Sequence, residues 1–510
     1  MIDFENIDLH CDKTWHLISE GNTKGVFQLE SRLGQSMAKK LKPQNIEQLA
    51  ALISILRPGC LEAIRDGKSV SNHYIDKKNN LESIDYFHSS LESILSETFG
   101  EMVYQEQAMQ ICQKIAAFDL SEADMLRKAI GKKNPEEMAK IKTLFIEKAK
   151  ATNMVNESEA DQIFSWIEKS QRYSFNKSHA ISYALNAYVS AYAKTNYPIE
   201  FFNSYLRFAK DKIDPMKEIN ELISNAIETN IPIYKPSFQK LNKYFEIIDN
   251  KIYFGFTNIK GVGESVYDKM IKIIDDQKLD ITTANLNTLL FCVLDKINST
   301  AAKNIIAVGS FDYLKIARKK LLFFLDIVTA LSDREKQIVI ENMSLDSKLQ
   351  DILNNLLPNV TKKRQNIING LINSLNKPAY TLEDNYEWIA SVEKQNLGIS
   401  ITCSIVDGRN TDTANCDCKT LKTNKFLPKT IIIGAEIVDI NVVKTKNGKN
   451  PGQNMAFLKI ADGTGSADIV VFPKEYADVK DILFENNTVM LNMEQSKNKD
   501  TLFVKKCWQI

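Results

Sequence analysis

No run of apolar residues in this 510-residue chain is long enough to cross a bilayer, and the opening MIDFENIDLH has neither a basic stretch nor an apolar one. A membrane span or secretory leader is not expected, and the chain reads as cytoplasmic. Cysteine is sparse: eight thiols in so long a chain make no disulfide framework. Cys416-Asp417-Cys418, with Cys403 upstream, lacks the second pair that a zinc site needs, so reduced thiols in a loop are expected. The five histidines are scattered and form no HxxxH or HExxH set. Internal repeats and low-complexity tracts are also missing.

Net charge is lacking too, at +1, but the balance is local. From Arg127 to Lys150 there are eight Lys/Arg against three Asp/Glu. Screening limits each charge to roughly 8–10 Å, so a basic face can bind phosphates on a nearly neutral protein. The overall balance is uninformative about nucleic acid. The hydrophobic fraction of 44% and charged fraction of 25% are those of a globular protein, and the length suits roughly two to four domains.

The first 235 residues are mostly helical by pattern. Ile111, Ile115 and Phe118 form one apolar stripe, ended by Asp119-Leu120. Ser121-x-x-Asp124 reads as a capping box, and Asn134-Pro135-Glu136-Glu137 as a second helix start before Met138, Ile141, Leu144 and Phe145. Ala129 to Lys133 is then a basic turn between helices. Ile231-Pro232-Ile233-Tyr234-Lys235-Pro236 breaks the pattern and sets a boundary. Residues 236–380 hold a short strand pair (Tyr244 to Phe256) and further helices, and 381–426 read as a linker, richest in Thr, Asn and Asp near 403–427. From 427 the period becomes two, with Ile431, Ile432, Ile433, then Val438, Ile440 and Val442. Lys446-Asn447-Gly448-Lys449 and Asp462-Gly463-Thr464-Gly465 supply turns, which suits a small antiparallel barrel over 427–510.

Residues 173–180, Tyr-Ser-Phe-Asn-Lys-Ser-His-Ala, gather polar groups before an amphipathic helix whose apolar face is Ala184, Leu185, Tyr188, Val189 and Tyr192. Ser178 could cap that helix, whose free N–H groups favour an anion, with Lys177 and His179 beside it. Arg127, Lys128, Lys132 and Lys133 around Gly131 could hold a triphosphate or several DNA phosphates. Taken singly, the first is a capped helix with a surface lysine and the second a solvated charge run. Arg57, on the turn Arg57-Pro58-Gly59, carries little weight alone.

In order, Gly25-Val26-Phe27-Gln28-Leu29-Glu30-Ser31, Arg57-Pro58-Gly59, Glu97-Thr98-Phe99-Gly100, Val103-Tyr104-Gln105-Glu106-Gln107, Ala123 to Lys133 and Phe175-Asn176-Lys177-Ser178-His179-Ala180 resemble the fingers of the C-family polymerases, the bacterial DNA polymerase III alpha subunits. Ile259-Lys260-Gly261-Val262-Gly263 is similar to that family's helix-hairpin-helix, whose glycines let N–H groups approach DNA phosphates. Met455 to Leu458, Asp462 to Gly465 and Val471-Phe472-Pro473 resemble its OB-fold, a barrel that binds single strands by aromatic stacking. The resemblance implies a multidomain fold: α fingers (1–235), an α helix-hairpin-helix domain with a small β pair, and an OB barrel.

It implies too that Arg127, Lys128, Lys132, Lys133 and Lys177 neutralise an incoming dNTP, that Asn176 and His179 donate to it or position the helix, and that Arg57 assists. Lys260, Gly261, Val262 and Gly263 would touch primer-template DNA. The family's paired palm aspartates find no match. Only 24 residues precede Gly25, and Asp3, Asp8 and Asp12 fall in a connecting segment. Mg²⁺ is therefore expected on a palm-bearing partner chain and on the dNTP phosphates, and the isolated chain is expected to be inactive. Gln350-Asp351-Ile352-Leu353-Asn354 lacks the aromatic of a sliding-clamp motif, which puts a clamp contact in doubt. Three classes compete: an enzyme half, a DNA-gripping accessory and a non-functional fragment.

Overall fold

The computed structural model describes residues 6–132, 135–170, 174–423, 427–445, 451–496 and 501–510. The chain forms two compact units, 1–201 and 202–510.

The first unit is built on two apolar clusters. One gathers α1 (Ile46–Ile55), whose residues from Leu49 to Ile55 are all buried. Asn45 caps α1 by accepting from the Gln48 N–H. The second cluster joins α2 (Gln105–Ala116), α3 (Leu120–Lys132), α4 (Pro135–Ala151) and α5 (Glu157–Ser170). Ile111, Ile115 and Phe118 are buried as the stripe requires, and so are Ile141 and Phe145. Phe145 stacks at a tilt on Phe164, 5.4 Å between centroids. Burial of each such ring contributes on the order of 1.5–3 kcal/mol.

Helix starts differ from the sequence reading in detail. Asp119, not Ser121, caps α3: its carboxylate accepts from the Glu122 N–H at 2.8 Å, and Glu122 accepts from the Asp119 N–H at 2.9 Å. A carboxylate one residue before the helix reaches the orphan N–H groups better than a serine inside it. α3 also runs on to Lys132, so Ala129 to Lys132 form its last turn rather than a glycine loop. The proposed cap Asn134 lies outside the described residues.

α6 (Lys177–Asn196) completes the numbered helices of the first unit, the helix Pro198–Phe208 runs across the boundary at residue 201, and α7 (Pro215–Glu228), capped by Asp214, lies in the second unit. The expected strand pair is a three-stranded sheet: β2 (Glu246–Ile248) and β3 (Lys251–Tyr253) are antiparallel, and β1 (Ile233–Tyr234) adds in parallel to β3. α8 (Glu264–Asp276), α9 (Arg318–Thr329) and α10 (Tyr386–Leu397) follow. Arg318 at the start of α9 is only 1% exposed. It donates to both oxygens of Asp312 at 3.0 and 2.7 Å, to Glu393 at 2.8 Å and to the Ala307 carbonyl at 3.0 Å. Two carboxylates around a buried guanidinium make a paired charge rather than an isolated one. Within the stretch read as a linker, α11 (Cys418–Thr423) buries Cys418 and Leu421 in the barrel core. The clamp-like pentapeptide sits within the helix Leu349–Leu356, with Ile352 and Leu353 buried.

The barrel closes over β4 (Ile431–Lys444), β5 (Asn454–Asp462), β6 (Gly465–Val471), β7 (Thr488–Gln495) and β8 (Leu502–Gln509). Around it the order is β8-β6-β5-β4-β7. Its pairings are antiparallel except β8 with β6, which run parallel through Phe503 and Val470. A helix, α12 (Pro473–Val479), links the third and fourth strands. Five strands in this order, with a helix there, are the OB-fold. Ile431, Ile433, Ala435 and Ile437 alternate inward, then a bulge between Ile437 and Asp439 shifts the phase. Among the described residues, no helix is long and apolar enough to span a membrane.

Candidate nucleotide and nucleic-acid interface

In the first unit a short parallel bridge pairs Tyr104 with Phe175. The Gln105 N–H donates to the Phe175 carbonyl at 2.9 Å, and the Phe175 N–H donates to the Val103 carbonyl at 3.0 Å. This pins the segment before α6 to the segment before α2. Asn176, rather than Ser178, caps α6, accepting from the His179 N–H at 2.9 Å. Ser178 lies inside the helix and donates its hydroxyl to the Asn176 oxygen at 3.2 Å. The buried face of α6 is Ala180, Ala184, Ala187, Tyr188 and Ala191, whereas Leu185 is exposed.

Two carboxylates occupy the donors at this helix start. Glu106 accepts from the Asn176 amide at 2.7 Å and from the Lys177 N–H at 2.9 Å, across 70 or 71 positions of sequence. Glu97 takes the Lys177 ammonium on both oxygens at 2.8 Å. That ammonium also lies over the Tyr104 ring, 5.8 Å from its centroid. Burial, with Glu97 adding to it, pushes the Tyr104 phenol above its ordinary range, so it stays neutral.

An aromatic face adjoins these charges. The Arg57 guanidinium covers the Phe175 ring at 3.9 Å. His179 meets Phe175 edge-on at 5.4 Å and Tyr183 at 4.2 Å, and Tyr183 meets Phe27 at 5.2 Å. Phe27 is 40% exposed, and Arg57 and His179 are exposed as well. The structure thus brings together Arg57, Asn176, Lys177 and His179, with Phe27, Glu97, Tyr104 and Glu106 of three further sequence motifs around them.

Arg127 and Lys128 find their partner on α3 itself. Both lie on exposed positions of α3, and both pair with Asp124, at 2.7 and 2.8 Å. Hydrogen bonds from Lys128 and then Arg127 hold the Asp124 carboxyl below its ordinary range. Among the described residues, no hydrogen bond, ion pair or ring contact joins Arg127 or Lys128 to Asn176, Lys177 or His179. Lys133, the side chain of Lys132 and Tyr173 lie outside the described residues.

Glu97, Glu106, Phe27 and Tyr183 escaped the sequence reading as site residues. Nothing local marks Glu106 as the partner of a helix start so far along the chain. Mg²⁺ does not fit the donors here, because Glu97 and Glu106 are committed to Lys177 and Asn176. Among the described residues no cluster of three or more His, Cys, Asp or Glu could hold a metal.

In the second unit the turn Ile259 to Gly263 leads into α8. Gly261 has φ +81°, which favours glycine, and Val262 is buried beneath it. Lys260 is fixed by its backbone, donating to the Asn396 carbonyl at 2.9 Å and accepting from the Asn304 amide at 2.6 Å. Gly263 is the N-cap of α8 with no side-chain cap, and a Cβ there would meet nothing. The first N–H groups of α8 thus lie open to an anion.

The barrel carries an outward aromatic stripe. Phe457 pairs across the sheet with Val470, which pairs with Phe503, and Phe503 meets Phe472 at 5.6 Å. Phe457 is 45% exposed and Phe472 41%, and the Lys505 ammonium lies 4.8 Å from the Phe503 centroid. Residues 446–450 and 497–500, with the turn Lys446 to Lys449, lie outside the described residues.

Two family models match parts of the sequence, one ending before the α6 start and the other before the barrel. The bacterial DNA polymerase III alpha subunit finger domain matches residues 1–153, and a helix-hairpin-helix motif matches 230–321. Over nearly its whole length the chain is similar to one region of DNA polymerase III alpha subunits. The alpha subunit of Chlamydia trachomatis serovar D is 30% identical over 98% of this chain and 38% of its own length. That of Aquifex aeolicus is 30% identical over 99% and 39%, and that of Staphylococcus aureus 30% over 96% and 42%. The chain thus spans about two fifths of the length of the polymerase III alpha subunits it matches.

Proposed function

We propose that the first unit holds the triphosphate of an incoming dNTP at the start of α6, while the hairpin turn and the barrel hold primer-template DNA during template-directed synthesis. The observation that carries this reading is the pair of carboxylates, Glu106 and Glu97, on the Asn176 amide, the Lys177 N–H and the Lys177 ammonium. Donors at a helix start that already hold carboxylate oxygens are arranged for anions, and phosphate oxygens are the stronger acceptors. Arg57 and His179, on the exposed aromatic face beside them, add a cation and a ring for the nucleotide. Arg127 and Lys128 join the phosphates from α3, with Lys132 and Lys133 following them in sequence.

The carboxylates that bind Mg²⁺ are proposed to come from a palm outside these 510 residues, so the residues alone extend no primer. The test is dNTP titration of the full chain in the presence of primer-template, comparing wild type with the double variant Arg57→Ala, Lys177→Ala. At least a tenfold loss of affinity is expected. Equal affinity, or no dNTP binding by the wild type, removes the assignment.

A DNA-gripping accessory is the second reading. It is favoured by Lys177, Arg127 and Lys128 each having an internal carboxylate partner. Retained DNA binding without any dNTP dependence would select it. A sliding-clamp contact has no support from residues 350–354, whose two apolar side chains, Ile352 and Leu353, are buried.

A further inference from the structure

Three cations of the second unit converge on one aromatic ring. The Arg207 guanidinium lies 5.3 Å from the Tyr244 centroid, the Lys210 ammonium 4.8 Å and the Lys243 ammonium 5.8 Å. Arg207 and Lys210 come from the end of the helix Pro198–Phe208 and the turn after it, whereas Lys243 precedes β2. Bringing like charges this close costs free energy unless something offsets it. Two carboxylates do so here. Glu264 accepts from the Tyr244 hydroxyl at 2.7 Å and lies 3.5 Å from Lys210 and 3.6 Å from Lys243, while Asp268 lies 2.9 Å from Lys243. Both are more than half exposed, at 52% and 60%. Exposed pairs of this kind contribute about 0–1 kcal/mol, so a stronger anion can displace them. Glu264 is also the first residue of α8, next to Gly263, so the cations flank the open N–H groups of the hairpin turn.

We infer that Arg207, Lys210 and Lys243, gathered around Tyr244, bind the phosphodiester backbone of double-stranded DNA and extend the footprint of the hairpin turn. The choice of duplex follows from the ring. Single-strand binders present free aromatic faces on which bases stack, and Tyr244 is half-buried and surrounded by cations. What remains is contact with phosphates and none with bases, which suits a helix whose bases are stacked inside. The inference rests on the DNA-handling reading of the chain and adds residues that lie outside the glycine turn.

The test is fluorescence anisotropy of a short blunt duplex with the full chain over a range of KCl concentrations. Loss of three phosphate contacts in the triple variant Arg207→Gln, Lys210→Gln, Lys243→Gln should reduce the slope of log K against log salt by up to about 2.7. Glu264→Gln removes a competing acceptor and should tighten binding severalfold at low salt, a gain that misfolding cannot produce. Gly263→Asp, which places a carboxylate on the open N–H groups, serves as the comparison for the turn itself. A wild-type chain without salt-dependent duplex binding would overturn both the DNA reading and this inference. If Gly263→Asp weakens duplex binding while the triple variant keeps the wild-type slope and Glu264→Gln has no effect, the inference alone fails. It fails equally if the triple variant loses single-strand binding and keeps duplex binding.

Discussion

Lys177 and Glu97, 80 residues apart, form a two-pronged ion pair in which the ammonium lies 2.8 Å from each carboxylate oxygen. Both side chains are partly exposed, at 36% and 42%. Such a pair is worth about 0.2–1 kcal/mol, so an arriving triphosphate can take the ammonium from it. Glu97→Gln should therefore tighten dNTP binding by up to about fivefold, because the competing partner is gone. Titration of the variant beside wild type checks this; weaker binding would mean that Glu97 helps to build the site.

Phe457 and Phe503 stand outward on the barrel, and each can stack one base. Single substitutions to Ala should cost about 1–3 kcal/mol in single-strand affinity per base lost and leave duplex binding unchanged. Anisotropy with a labelled pyrimidine oligonucleotide measures it. Unchanged affinity in both variants would move the single-strand path off this face.

Gly309 lies against the buried guanidinium of Arg318, and a Cβ there would stand 2.3 Å from a guanidinium nitrogen on backbone with φ +81°. Gly309→Ala should push Arg318 off Asp312 and off fully buried Glu393, leaving the Glu393 charge without its cation and held only by Ile401 and Thr402 donors. The cost expected is about 3–5 kcal/mol, read as an early unfolding transition of the second unit in denaturant. A wild-type transition would show that the arginine has room to move.

Burial alone would raise the Asp312 carboxyl, but Arg318 and then Lys235 outweigh it and hold the group below its ordinary value of 3.8. Glu335 is held below 4.5, first by its hydrogen bond from Arg364. A depressed carboxylate gives stability that is complete above the unfolded value and is lost as pH falls through the lower folded value. Stability of the second unit should thus be flat near neutrality and decline below about pH 4.5. Asp312→Asn should flatten part of that decline when denaturant midpoints are measured from pH 6 downward. An unaltered acid slope would exclude Asp312 as a contributor.

Much of the architecture is legible in sequence where structure is local. The alternation of Ile431 and Ile433 announces the barrel, because one face must point inward. The bulge after Ile437 brings Ile440 and Val442 into the inward phase, opposite buried Leu458 and Ala456, yet Val442 is 44% exposed because it lies near the end of the long strand. The stripe Ile111, Ile115, Phe118 is read correctly for the same local reason. Caps are less legible: Asp119 and Asn176 outcompete the nearby serines at 121 and 178 because they sit one position before the first turn. The candidate site is half legible. Lys177, Asn176, His179 and Arg57 are found through motifs, but Glu97 and Glu106 are not, since only folding brings them to α6. Arg127 and Lys128 are on exposed positions of α3, whose buried Leu126 and Ala129 belong to the second cluster of the unit.

The bridge between Tyr104 and Phe175 also constrains the order in which the chain acquires its structure. Everything from α2 to α5 leaves from one side of that bridge and returns to the other. Closing so long a loop is entropically costly, and local helical contacts inside it form faster than the closure. The four-helix lobe should therefore assemble first, and only its completion delivers Phe175 to Val103 and sets the α6 start. The start of α6 would then be the last part of the unit to form during refolding, and slow-exchanging amides should accumulate in α2 and α5 before they appear at residue 175.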